Sequence, residues 1–435
     1  MRNAQHIIEK ISILSKAQRR FLVIAVQAIV CCRWRINFRS LSEVSVYGEK
    51  TYRRHYGATI DFIPIHRAVA DSVLGESVSG FRVIGFDPTF LPKAGKHTPG
   101  VGKFWNGSAQ RAESGLEATL TAVIDVERRI AFPLGLQQTL HPSLRQTIGA
   151  SADEQNTSMP EAVAEATTKT PTTKKTASPA PWLITEYLRH LERVKPSLHP
   201  TERHVVADAY FAKQTFLDGV AAMGLFCITK LRTDANLKYF YRGEARTSGR
   251  GRQKVYDGKV LWENLRTDVF HETRVDDTVL LRSAILYHVG LKRTLLIVLV
   301  QEQRGASTRQ TILASTDEHL DALSIYKAYG ARFQLEFLLR DGKGFTGLTD
   351  AQTRTTTAID THLNMSMFAL ALARAEHYQT FGLESERPFS MNAAKTRAFN
   401  EHFALHILSI YGLSPEMIKN HPHFSAIRNY AIAEG

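Results

Sequence analysis

Asp87 closes the apolar run Ile84-Gly85-Phe86, and Asp208 closes the run His204-Val205-Val206-Ala207. A carboxylate delivered from the end of a buried strand points into a cleft, and two such acids from separate strands can share a hard cation. A third acid stands in a different setting. Tyr329, Arg332, Glu336 and Lys343 form the pattern Y-x2-R-x3-E-x6-K. On one continuous helix, at 100° per residue, these residues fall within about 60° of a single face. The neighbouring Phe333, Leu335, Phe337, Leu338 and Leu339 are apolar, so that charged face is partly buried and its charges need partners. Taken singly, each aspartate also reads as an ordinary strand-end or capping residue, and the stripe as a solvated face with an i,i+4 Arg–Glu pair. Together they point to a metal–phosphate site. Phosphodiester cleavage can use two metal ions about 4 Å apart, and three carboxylates can hold them. Asp87 is the expected bridging ligand, with Asp208 and Glu336 each completing one shell. Two Mg2+ ions fit all-oxygen donors, and Mn2+ should substitute.

The elements that must carry these residues read as α/β. Strands are expected at Phe81–Phe90, Ala118–Asp125 and Arg129–Gln138, each apolar and bounded by turn residues. Residues 149–181 are rich in Thr, Ala, Pro, Ser, Glu and Lys and read as a disordered insertion. A helix at Trp182–Val194, a strand at Arg203–Asp208, a helix at Lys213–Met223 and a strand at Gly224–Leu231 follow, an alternation that implies a mixed sheet flanked by helices. Strand-like runs at Thr278–Leu286, Tyr287–Leu291 and Thr294–Gln301 make 232–312 a β-rich insertion subdomain. Thr316 to Leu339 reads as one long helix, with further helices at Ile359–His377 and Ala393–Tyr411. The expected division is a helical basic region 1–75, a first part of the catalytic core 76–231, the insertion 232–312, the rest of the core 313–377 and a helical C-terminal region 378–435.

Charge points to a nucleic-acid partner, beside the plainer reading that a basic surface only keeps the chain soluble. The 435 residues carry a formal net charge of +13, a balance that favours a polyanion. Residues 1–56 hold eleven Lys/Arg against three Asp/Glu. There, a short helix Leu41–Tyr47, a turn at Gly48 and a second helix Glu49–Tyr56 outline a helix-turn-helix, with Lys50, Arg53 and Arg54 facing a major groove. Lys230 to Lys259 holds nine Lys/Arg, among them Lys230, Arg232, Arg246, Arg250 and Arg252, and reads as a basic loop against DNA. The three cysteines, Cys31, Cys32 and Cys227, make neither a disulfide framework nor a zinc site. A reducing, cytoplasmic and nucleoid-associated setting is expected, and the most apolar run, Phe21 to Cys32, about half a membrane span, reads as a core helix. His402 and His406 are spaced i,i+4 but lack the intervening Glu of a zinc helix, and read as ordinary helix residues.

The sequence resembles the DDE transposases of bacterial insertion sequences, specifically insertion-sequence family four, whose hallmark is the Y-x2-R-x3-E-x6-K pattern. The surroundings Asp87-Pro88-Thr89 and Asp208-Ala209-Tyr210-Phe211 and the stretch from Arg340 to Leu348 are similar to that family's, and the likeness runs over about 80–375. It implies a ribonuclease-H-like core in which Asp87, Asp208 and Glu336 are catalytic. Arg332 and Lys343 would grip the DNA backbone, and Tyr329 would hydrogen-bond a phosphate. Trp262, the only tryptophan of the β-rich interval, would hold a flipped base. The implied reaction is cut-and-paste transposition: 3′-strand nicking, a hairpin on the transposon end, its opening, and strand transfer into target DNA. The implied assembly is a homodimer synapsing two terminal inverted repeats of double-stranded DNA. The alternatives are a nuclease without strand transfer and a repeat-binding protein of transposase descent.

Overall fold

Strand β1 (Arg82–Pro92) lies between an antiparallel neighbour, β3 (Arg111–Asp125), and a parallel one, β5 (His204–Val206). The computed structural model describes residues 2–75, 80–95, 97–144, 181–244, 252–419 and 421–432. All but the last residue of the expected insertion 149–181 lies outside the described residues, as do Arg246 and Arg250.

The sheet has twelve strands. Its order is β2 (Gly102–Asn106), β3, β1, β5, β6 (Phe226–Leu231), β12 (Ser307–Ser315), β11 (Arg293–Arg304), β10 (Val279–His288), β7 (Leu237–Phe240) and β8 (Tyr256–Lys259). In addition, β4 (Ile130–Gln138) pairs with β3, and β9 (His271–Arg274) with β10. β1, β5 and β6 run parallel and the other pairings are antiparallel. The strands of 232–312 therefore continue the catalytic sheet through the β6–β12 pairing. Five strands, β2, β7, β8, β9 and β12, had no signature of their own in the sequence. β2 is short and half exposed, and the first half of β12 is polar. The expected strand Tyr287–Leu291 is instead the end of β10 and the turn that follows it.

Helices cover both faces. On one lie α1 (Arg2–Lys10), α2 (Lys16–Cys31), α3 (Phe38–Glu43), α4 (Glu49–Tyr56) and α5 (Ile63–Leu74), which share a continuous apolar cluster with the sheet. The other face carries α6 (Pro181–Val194) and α7 (Gln214–Ala222), with Phe86, Phe211 and Phe216 at its centre. The last part of the chain forms α8 (Ala322–Ala331), α9 (Gln334–Phe345), α10 (Thr356–Phe381), α11 (Met391–Ile410) and the short α12 (Pro415–Lys419) and α13 (Phe424–Arg428).

The single long helix expected over Thr316–Leu339 is not formed. α8 starts only at Ala322, capped by Asp321, whose side chain accepts from the Ser324 amide at 2.8 Å. It ends at Ala331, and tight i→i−3 bonds then carry the chain over: Phe333 N–H to Gly330 O, Leu335 N–H to Arg332 O, and Glu336 N–H to Phe333 O. The helical period of the apolar residues runs unbroken through this junction, so hydrophobic spacing could not reveal it.

α10 runs buried along β4. Asn364 donates to Leu136 O at 2.9 Å and accepts from Leu136 N–H at 3.1 Å. Both backbone groups of a β4 residue are thereby satisfied on the side that no described strand pairs.

Candidate active site

Strand periodicity decides where the acids point. Val83 of β1 and Val206 of β5 belong to one apolar cluster, whereas Ile84, Phe86, Val205 and Ala207 belong to the other. Side chains alternate between faces, so Asp87 and Asp208 share the face of Val83 and Val206. The register then sets them side by side. Gly85 lies opposite Val206, and Val206 opposite Ile228 of β6. Carried two residues past these pairs, the same alternation leaves Asp87, Asp208 and Lys230 on one face, each on or just beyond one of three neighbouring parallel strands.

That face is covered by α9, and Gly85 makes the close approach possible. A Cβ there would lie 2.8 Å from Leu335 Cδ2 and 2.7 Å from Ile124 Cδ1. Glu336 follows Leu335 directly, and its charge is felt at Asp87. Asp208 is fixed from two sides. Its carboxylate accepts from Tyr210 N–H at 2.9 Å, capping the 3-10 turn Ala209–Phe211, and its carbonyl accepts from the buried Thr229 hydroxyl at 2.8 Å.

The Y-x2-R-x3-E-x6-K residues are split between two helices rather than set on one. Tyr329 lies on α8, Arg332 just past its end, and Glu336 and Lys343 on α9. They still meet. Arg332 Nη2 is 3.1 Å from Glu336 Oε1, and the guanidinium carbon lies 5.9 Å from the Tyr329 ring centre.

Charges converge on Asp87. Burial is the main cause that pushes its carboxyl up to about 7; Arg332 and Lys343 oppose the rise, and Asp208 and Glu336 add to it. Burial works against the Arg332 charge as well, but Asp87, Tyr329, Glu336 and Asp208 outweigh it and hold the guanidinium more firmly protonated. Burial lowers the Lys343 ammonium, which Asp87 in part restores. Burial also raises the Tyr329 phenol. Three acids thus face two cations in a partly dry cleft.

Among the described residues no three His, Cys, Asp or Glu side chains form a closed ligand cluster, and Glu336 is turned toward Arg332. The donor set nevertheless suits a divalent ion of the magnesium type. It is all oxygen, and the ionised form of Asp87 is disfavoured by its own acidic neighbours, a cost that a bound cation removes.

The other expected DNA contacts are distributed more widely. Lys50, Arg53 and Arg54 are exposed on α4, whose Tyr52 and Tyr56 are buried against α2, with Phe21 stacked on His55 at 4.1 Å. Arg232 is exposed but doubly bonded to Asp234, both contacts at 2.9 Å. Arg252 is exposed. Trp262 is half-buried, and its indole N–H donates to Thr233 O at 3.0 Å.

Sequence reasoning passed over three residues at the site: Gly85, Thr229 and Lys213. Burial brings the Lys213 ammonium down to about 8, against the pull of Asp208. Only Gly85 left a trace in the sequence, as a glycine inside an apolar strand, which marks a close approach.

A mixed sheet flanked by helices, with acids at neighbouring parallel strand ends, defines a ribonuclease-H-like fold of the nuclease type. A family model described as DDE superfamily endonuclease matches residues 11–294, about two thirds of the chain, and the chain belongs to that family. DNA is the substrate class this membership brings, and divalent metal ions the cofactor class. The matched span includes Asp87 and Asp208 and ends before Glu336. No curated protein matches the chain. No helix among the described residues is long and apolar enough to cross a membrane.

Proposed function

We propose that the chain is a cut-and-paste DNA transposase of insertion-sequence family four, with Asp87, Asp208 and Glu336 as the catalytic, metal-holding triad. The observation that carries this reading is the joint field at Asp87, where Asp208, Glu336, Arg332 and Lys343 all act on one carboxyl. Two Mg2+ ions bound there, or Mn2+ in their place, would supply a hydroxide nucleophile and neutralise the departing 3′ oxygen.

The chain's own groups do the rest. Asp87, Asp208 and Glu336 would together hold the ions, each through its carboxylate oxygens. Arg332 offers a planar fork to a phosphate and Lys343 a compact charge, while the Tyr329 hydroxyl hydrogen-bonds the same backbone. Lys230, on the row of the two aspartates, extends the cationic track. Lys50, Arg53 and Arg54 would read or grip the duplex further out. Trp262 would have to give up its bond to Thr233 to hold a flipped base, which makes it the least supported of these contacts. The same site serves nicking, hairpin formation, hairpin opening and strand transfer, in a homodimer that brings two terminal inverted repeats together.

The test is nicking of a duplex carrying the DNA that flanks the reading frame, in magnesium. Asp87→Ala, Asp208→Ala and Glu336→Ala should each abolish nicking and leave binding to the duplex largely intact. Metal-dependent cleavage retained by any one of the three removes that residue from the triad. Products joined into a supercoiled target plasmid separate a transposase from a nuclease of the same family, and binding without any cut would mark a repeat-binding descendant.

A further inference from the structure

Lys213 has no part in the function proposed above. It follows Asp208 by five residues, past the turn Ala209–Phe211, and forms the N-cap of α7 without a capping bond from its side chain. Its Nζ is shut off from solvent and has no hydrogen-bond partner among the described residues. It rests 3.1 Å from the centre of the Tyr210 ring, and the negative charge that acts on it is that of Asp208. An ammonium carries three donors, and burying it with none satisfied is unfavourable. An aromatic face offsets only part of that cost.

The ring under it is held in place. Tyr210 packs edge-on against Phe211 at 5.2 Å and Tyr187 at 6.3 Å, and Tyr187 is anchored by its hydroxyl, which donates to the buried Glu117 at 2.8 Å. What can move is the lysine, whose four-carbon stem is flexible. A group that lacks a partner among the described residues, next to an acid to which a DNA strand is brought, is matched by a phosphate oxygen.

We propose that Lys213 is a substrate contact, whose ammonium leaves the Tyr210 ring to pair with a DNA backbone phosphate at the Asp208 side of the cleft. It would be a further cation beside Asp208, in addition to Arg332 and Lys343. The inference rests on the reading that DNA enters beside Asp208, and its test does not depend on cleavage.

The full-length protein is titrated with a short random-sequence duplex by fluorescence anisotropy, in EDTA, between about 50 and 200 mM salt. Each phosphate contact contributes about 0.9 to the slope of log affinity against log salt. Lys213→Met should lower that slope by about 1 and Lys213→Arg should restore it. If Lys213→Met does not fold, the neutral and nearly isosteric Lys213→Gln is read in the same titration. An unchanged slope overturns the proposal, whether it comes with a lowered melting temperature, the mark of a structural lysine, or with an altered magnesium requirement, the mark of a fixed counter-ion for Asp208. Cleavage surviving in Asp87→Ala would instead overturn the metal site and leave this contact standing.

Discussion

Asp87 carries a signature that can be read without DNA. Its carboxyl sits at about 7 in the folded chain against an ordinary value of 3.8, chiefly through burial. A group whose folded value is raised contributes stability that is present below the unfolded value and is lost as the pH rises through the folded one. Metal-free protein should therefore lose stability between about pH 4 and pH 7. With allowance for the partial exposure of Asp87, the loss is on the order of 2 kcal/mol. Asp87→Asn should lack this component, so its melting temperature in EDTA should pull ahead of the parent's by a few degrees toward pH 8 and match it near pH 4. Parallel melting curves across that range would show that the carboxyl is not held in the crowded site described above. The same residue shows what a sequence discloses at this scale. An acid at the end of an apolar strand breaks the apolar pattern and invites a reason, so Asp87 and Asp208 were legible. Lys213 was not, because a lysine entering a helix looks like any solvated residue until the fold closes it over Tyr210.

At the scale of elements, the site depends on how closely α9 approaches β1, and Gly85 sets that distance. A methyl group there would meet Leu335 and Ile124 inside normal contact distance, in a core where both side chains are fully buried. Gly85→Ala should cost about 1–3 kcal/mol through overpacking, and should slow cleavage further than that because Glu336 moves with Leu335. Trimming the obstacle, as in Gly85→Ala with Leu335→Ala, should recover part of the cleavage rate relative to the two single variants added together, a coupling that a double-mutant cycle measures. Strict additivity would mean that α9 is positioned from elsewhere. The strands β1, β4, β5 and β6 and the helices α4, α6, α7, α10 and α11 could be read within a few residues from alternation and from the 3.6-residue period, whereas the helix expected at Leu41–Tyr47 lies earlier, at Phe38–Glu43. The break between α8 and α9 could not, because Ile325, Ala328 and Ala331 before it and Leu335, Leu338 and Leu339 after it keep one helical period. The face expected to align Tyr329, Arg332, Glu336 and Lys343 was an argument about one helix. The contact of Arg332 with Glu336 survives since the tight turn at 330–336 advances the chain nearly as a helix does.

Across the whole molecule, the basic N-terminal helices and the acidic cleft are not independent bodies. Ile7, Phe21, Tyr56 and Val69 lie in the same apolar cluster as Leu120, Phe132 and Met367. The buried Arg67 also pairs with Glu202, just ahead of β5, at 2.9 Å, with Arg82 of β1 at 3.9 Å on the other side of that carboxylate. An uncompensated Glu202 or Arg67 would be costly, so this network ties α5 to the strands that carry the aspartates. Thermal unfolding should accordingly show one calorimetric transition that includes residues 1–75, and a separate early transition for those helices would contradict the shared core. The basic surface, by contrast, should be removable. Lys50, Arg53 and Arg54 are exposed on α4, so replacing all three with alanine should change stability by about 1 kcal/mol at most. Random-duplex binding should weaken in the same variant, with a salt slope shallower by up to about 3. At saturating DNA the nicking rate should stay near that of the parent, because the acids, Arg332 and Lys343 are untouched. A rate that falls with the slope held constant would instead tie these helices to the chemistry through the common core, and would place the DNA-gripping charge elsewhere on the molecule.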